Sequence, residues 1–187
     1  RENFRWVSTA TYSRNRNEVS GIPGETGRVV IPSSFGVSVA ENGEPIGSFF
    51  GGAFKRNENG RVVDTEGNVM REDDDGYWRP ADCTAGESGC SGIPARAAED
   101  QIIGNPQPDF SLAWINQFQI GDNLRLRFQL DGEFGQDVFN FTRRIGAFPP
   151  FGTLEDYERE LEGDLPDGYG FGVFNIFENW IEDGSYV

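Results

Sequence analysis

Two cysteines, Cys83 and Cys90, stand seven positions apart in CTAGESGC, and they are the chain's only thiols. A short loop containing glycine between two cysteines suits a local disulfide in an oxidising compartment. A zinc centre needs more soft ligands than this pair supplies. Acidic side chains cluster at EDDDG (72–76), which carries Asp73, Asp74 and Asp75, and at DTEGN (64–68). Carboxylates so placed could ligate Ca²⁺, although neither stretch has the EF-hand spacing. A solvated turn is the plainer reading, so the cofactor expectation is none, with Ca²⁺ at Asp73, Asp74 and Asp75 as the alternative. There is no histidine. Triads, bases and metal sites built on imidazole are therefore excluded. Acid pairs are too numerous to single out a catalytic couple, and the expectation is a protein that is not an enzyme. Asn140 opens a formal glycosylation sequon, NFT, to which no weight is given.

The charge pattern narrows the partners. A formal net charge of −15 over 187 residues argues against nucleic acid, which requires a basic face. Residues 57–100 hold 11 acids and 4 bases, and residues 154–183 hold 10 acids and one base. The acid lies in stretches that read as loops. Hydrophobic residues make up 36% and aromatic residues 13%, with 25 Gly and 10 Pro breaking the apolar runs. That composition points to an all-β chain with long connections. No apolar run approaches the roughly 20 residues of a membrane helix. With no initiator Met or leader pattern, the sequence reads as a mature or internal segment.

The elements that must carry any function lie elsewhere. FSLAWINQFQIGDNLRLRFQLDGEF, within 109–134, alternates with period two. Phe110, Leu112, Trp114, Phe118 and Ile120 share one parity, broken only by Asn116. After Gly121-Asp122-Asn123, Leu124, Leu126, Phe128, Leu130 and Phe134 oppose Arg125, Arg127, Gln129, Asp131 and Glu133. Period two is the signature of a strand with two unlike faces, and the short turn makes a hairpin. Arms of about 11 residues at ~3.3 Å each reach ~36 Å, beyond ordinary soluble strands. Tilted ~45°, they span ~25 Å, the height of the apolar band on an outer-membrane barrel. The expected outward side, facing lipid or an apolar partner, carries Leu112, Trp114, Phe118, Leu124, Leu126, Phe128 and Leu130. The charged parity suits a wet lumen or cross-strand ion pairs.

Around this hairpin, FRWVSTATYSRNR (4–16) alternates likewise, with Phe4, Trp6, Ala10 and Tyr12 on one parity. GVSVAENGEPIGSFFGGAFKR offers two short strands, and GRVVDTEGNVM a small hairpin. Residues 57–101 form a long acidic insert with the Cys pair. GQDVFNFTRR (135–144) is expected to continue the second arm. TLEDYERELEG (153–163) is the one expected helix, capped by Thr153 and stopped by Gly163. The chain as a whole, 1–187, reads as a single β-rich segment.

Three motifs in order resemble a known family. GEPIGSFFG (43–51), IIGNPQPDFSLAWINQFQIGDNLRLRFQLDGEFGQDVFNFTRR (102–144) and ENWIEDGSYV (178–187) resemble the C-terminal barrel region of SusC/RagA-family TonB-dependent outer-membrane transporters. The resemblance implies a barrel of ~22 strands around a plug. It also implies TonB-driven uptake of glycans or peptides, a surface lipoprotein lid, and an outer-membrane or extracellular-surface location. Four to six strands cannot close such a barrel, and no plug or TonB-contacting segment is recognisable. Transport by this chain alone is therefore not expected. Two partners for its apolar side follow: the remaining barrel strands, or copies of itself joined edge to edge in a filament or tube. A soluble secreted domain binding Ca²⁺ is the third alternative. In either assembled form the chain is not a self-sufficient monomer.

Overall fold

The structure is a computed structural model that describes residues 4–31, 37–83, 92–148 and 155–187. Eleven strands follow in chain order. They are β1 (Phe4–Ser13), β2 (Arg28–Val30), β3 (Ser38–Glu41), β4 (Ser48–Phe54), β5 (Met70–Glu72) and β6 (Trp78–Pro80). Then come β7 (Arg96–Gly104), β8 (Phe110–Ile120), β9 (Leu124–Phe134), β10 (Asp137–Phe139) and, near the end, β11 (Ile181–Asp183). Three short helices, α1 (Phe141–Gly146), α2 (Glu155–Glu162) and α3 (Tyr169–Phe174), precede a 3₁₀ turn at Phe177–Trp180. The chain is thus mostly β with antiparallel ladders, and its sheets do not close into a barrel.

Two compact units divide the chain. The first contains Arg1–Ser48, Asn105–Val138 and Asp183–Val187. Its main sheet has the order β1-β8-β9, antiparallel throughout. The β8–β9 register runs from Ile120↔Leu124 at the turn to Phe110↔Phe134. Gly121, at φ +59°, supplies the left-handed residue that lets a three-residue connection reverse the chain. β1 lies on the other side of β8, from Phe4↔Ile120 to Ser13↔Ser111. On the outer edge of β9, the Glu133 and Tyr186 backbones exchange hydrogen bonds of 3.0 and 2.9 Å. A separate ladder joins β2 to β3, and Arg28 lies against Glu41 across it at 2.6 Å.

The second unit contains Phe49–Gly104 and Phe139–Glu182 and has a conventional core. Trp180, Tyr169, Val173 and Leu165 are buried with Tyr77 and Ala147. Phe54, Val62, Met70 and Ile176 form a second cluster, and Trp78 packs against both. The small hairpin expected at GRVVDTEGNVM is present, with Val63 bridging Val69. Its turn is held by the Asp64 carboxylate, which accepts the Glu66, Gly67 and Asn68 amides at 2.8–2.9 Å.

The helices differ from expectation in an instructive way. The arm expected to continue through 135–144 ends with β9 at Phe134, and that stretch instead carries the separate strand β10 and then α1. Asn140 Oδ1 accepts the Arg143 amide at 2.9 Å, an N-cap that the apparent V-F-N-F alternation conceals. The helix expected over 153–163 is α2, while its proposed cap Thr153 lies outside the described residues. α3 arises in a Gly-aromatic tail with little intrinsic helix propensity. Its entry is fixed by Glu160, whose carboxylate accepts the Gly168 and Gly170 amides at 2.9 and 2.8 Å.

Candidate functional site

The register of β1-β8-β9 sorts every side chain onto one of two faces. One face carries Phe4, Trp6, Ser8, Ala10 and Tyr12 from β1. From β8 it takes Phe110, Leu112, Trp114, Asn116, Phe118 and Ile120. From β9 come Leu124, Leu126, Phe128, Leu130 and Phe134. All seven residues expected on the outward side, Leu112, Trp114, Phe118, Leu124, Leu126, Phe128 and Leu130, lie on this face. The sheet within this unit leaves the face uncovered: Trp6 is 56%, Trp114 45% and Leu126 52% exposed. The aromatic rings tile it, Trp6 parallel to Phe118 at 6.0 Å and Trp114 edge-on to Phe128 at 5.8 Å.

Only two polar side chains interrupt this face, Ser8 and Asn116, and they sit directly opposite each other in the ladder. Each receives the indole N–H of a diagonal tryptophan. Trp6 Nε1 donates to Asn116 Oδ1 at 2.9 Å, and Trp114 Nε1 donates to Ser8 Oγ at 2.8 Å. The exception to the alternation is therefore the acceptor for its neighbour's indole. Asn116 is 1% exposed, and its Nδ2 is left without a partner.

The opposite face is polar and open. Arg5, Thr9, Thr11 and Ser13 on β1 and Gln117 and Gln119 on β8 face the same way as Arg125, Arg127, Gln129, Asp131 and Glu133 on β9. Arg127 Nη2 donates to Gln129 Oε1 at 3.1 Å, and Gln129 Nε2 donates to both Asp131 oxygens at 2.9 Å. This ladder along one strand takes the place of the cross-strand ion pairs considered from sequence.

In the acidic loop, two carboxylates are engaged by groups of the protein. Asp73 Oδ2 accepts Arg79 Nε at 2.6 Å, and its Oδ1 accepts the Asp75 and Tyr77 amides. Asp75 pairs with Arg159 at 3.0 Å. Asp73 and Asp75 thus turn to arginines, and among the described residues no three Asp, Glu or Cys side chains gather as a metal centre. Burial alone would raise the Asp73 carboxyl, but the bonds from Arg79 and the two amides outweigh it and hold it below its ordinary range. Arg79 is itself 2% exposed and is also held by Asp164 at 3.0 Å. Burial pushes the Tyr169 hydroxyl well up, against the Trp78 amide that donates to its oxygen at 2.7 Å. Cys83 ends this region, its carbonyl accepting Arg71 Nη2 at 2.8 Å. Cys90, and with it the expected Cys83–Cys90 bond, lies outside the described residues.

Sequence reasoning found the hairpin and the strand at 4–16 but not that the two pair. The signal was available: Ser8 is the one polar residue among Phe4, Trp6, Ala10 and Tyr12, as Asn116 is on β8. Aligning those two exceptions gives the observed register.

No protein-family model matches the chain. Over 206 aligned positions it is 23% identical to TonB-dependent receptor P3 of Formosa agariphila. The match covers 100% of this chain and 19% of that protein, so the chain spans less than a quarter of its relative's length.

Proposed function

We propose that this chain forms part of the wall of a TonB-dependent outer-membrane transporter of the SusC/RagA type, with β1-β8-β9 crossing the bilayer. The observation that carries the proposal is the separation of an apolar face, broken only at Ser8 and Asn116, from a mainly polar one on strands of 10 and 11 residues. At ~3.3 Å per residue and ~45° tilt, such strands match the ~25 Å apolar band. The apolar face meets the demand of a dry environment at its two indoles, though not at Asn116 Nδ2. Hydrocarbon supplies no hydrogen bonds, so a buried donor must find one within the protein. Both indole N–H groups on the apolar face do so. Topology supports the same orientation. Ser13, Ser111 and Glu133 share one end of the sheet, from which both long connections depart, and the other end carries the three-residue turn. Long connections on the cell-surface side and short turns on the periplasmic side are the rule for such barrels. The cargo we infer is a glycan or peptide. The neighbours are the other barrel strands, with TonB and a surface lipoprotein serving the whole transporter. The distant likeness to a TonB-dependent receptor supports this reading.

Lipid quenching tests it. The full protein is folded into vesicles containing brominated acyl chains. Trp6 and Trp114 should be quenched, so that Trp6→Phe/Trp114→Phe removes a quenchable component of the emission. Trp78 and Trp180, packed in the second unit's core, should contribute none of it. Equal quenching of the double variant and the parent would overturn the proposal.

A further inference from the structure

The polar face carries an uneven charge. Arg5, Arg125 and Arg127 lie near the turn end, with Arg5 and Arg125 flanking Gln119 and Arg127 beside Gln117. They border a shallow depression together with Val7, Gln117 and Gln119. None of the three forms an ion pair among the described residues. The carboxylates of the same strand face, Asp131 and Glu133, sit toward the far end, and Gln129 already occupies Asp131. Asp131 is four residues from Arg127 on the same strand, and the Gln129 amide stands between their side chains. A chain of net charge −15 thus gathers on one patch three guanidinium groups, none of them in direct contact with a carboxylate among the described residues.

We propose that this patch docks an acidic protein surface, one lying outside residues 1–187 and presenting at least two carboxylates to Arg5, Arg125 and Arg127. The shape favours a protein over a small anion. Sites for small solutes are concave and enclose their ligand, whereas these side chains stand on an open sheet. Their spacing agrees. Arg5 and Arg125 are two strands apart, about 9.6 Å, and Arg125 and Arg127 are about 6.6 Å apart. Such a spread matches separate carboxylates, each able to take a guanidinium in bidentate fashion. The proposal needs the barrel reading only in that the polar face must be turned away from lipid. Failure of lipid quenching at Trp6 and Trp114 would strike that reading, whereas the test below strikes the docking surface.

Lys55 is the only lysine in the chain. Arg127→Lys therefore adds one new amine to it, and Arg125→Lys provides a second, independent position. The full protein is treated with a carbodiimide, which converts a carboxylate to an O-acylisourea. A lysine Nζ in contact displaces the urea and leaves an amide bond that peptide mass spectrometry locates. The expected result is a cross-link from residue 127, or from residue 125, to an Asp or Glu outside residues 1–187, at least tenfold above an Arg61→Lys control. Adding 1 M NaCl before the reagent should reduce it several-fold. Three results would overturn the proposal. One is no link from either lysine in protein that retains lipid quenching. Another is a link only to acids within this chain, including the 57–101 stretch of a second copy. The third is a link abolished by small soluble carboxylates at millimolar concentration, which would mark a solute site.

Discussion

Removing the Asn116 acceptor separates a dry setting for the apolar face from a wet one. Asn116→Ala leaves the Trp6 indole N–H, now bonded at 2.9 Å, without its partner. In water the loss is small, because solvent replaces the acceptor. In hydrocarbon an orphaned donor costs about 1–3 kcal/mol. The same substitution also deletes the unpartnered Asn116 Nδ2, which offsets part of that cost. The single variant therefore underreports the bond, and a double-mutant cycle with Trp6→Phe is the proper measure. Side-chain hydrogen bonds between membrane segments couple by about 0.6 kcal/mol on average and up to about 1.7 kcal/mol. We expect a coupling in that range for Trp6–Asn116, measured by denaturant unfolding of the full protein from lipid vesicles. Trp114–Ser8, at 2.8 Å on the same face, should behave alike. Zero coupling for both pairs, in protein whose tryptophans are lipid-quenched, would refute the claim that these bonds exist because lipid offers none.

The second unit yields further expectations. Arg79→Ala strands the Asp73 and Asp164 carboxylates beside a buried cavity and should destabilise that unit by about 3–5 kcal/mol, read as faster proteolysis within 49–104. The depressed Asp73 carboxyl contributes stability that is present above its unfolded value near 3.8 and is lost as pH falls through the lower folded value. Acid unfolding monitored by near-UV dichroism should therefore be blunted in Asp73→Asn. The raised Tyr169 hydroxyl works in the opposite direction: its contribution is intact below pH 10 and declines above it, so Tyr169→Phe should flatten the alkaline limb. Thiol titration of the native protein without reductant should find no reactive group at Cys83 or Cys90, and two reactive thiols would end the disulfide expectation.

How far the fold was legible depended on whether local pattern and tertiary context agreed. The β8–β9 hairpin was visible because alternation, length and a Gly-Asp-Asn turn all point one way. β1 was visible as a strand, but its partner lies more than 100 positions away, and only the shared polar exceptions at Ser8 and Asn116 mark the register. α3 was hidden because its cap comes from Glu160 on another helix rather than from its own first turn. α1 was hidden by an alternating run whose Asn140 is a cap. In the acidic loop the arginine partners were hidden for a related reason. Asp73 and Asp75 read first as a solvated turn, and they meet Arg79 and Arg159, of which the first is unmarked in the sequence and the second lies 84 positions from Asp75. The apolar face itself was legible residue by residue, whereas the patch of Arg5, Arg125 and Arg127 required the pairing of β1 with β8.

The most direct test of the central claim is a nitroxide scan of residues 124–131 in the full protein reconstituted into lipid vesicles. Collision with oxygen, which concentrates in the bilayer, and with a water-soluble nickel chelate are measured at each position. The account predicts opposite alternations of period two: oxygen maxima at 124, 126, 128 and 130, and nickel maxima at 125, 127, 129 and 131. High nickel accessibility at 126 and 128, or two reagents rising and falling together, would contradict a strand with one face in lipid.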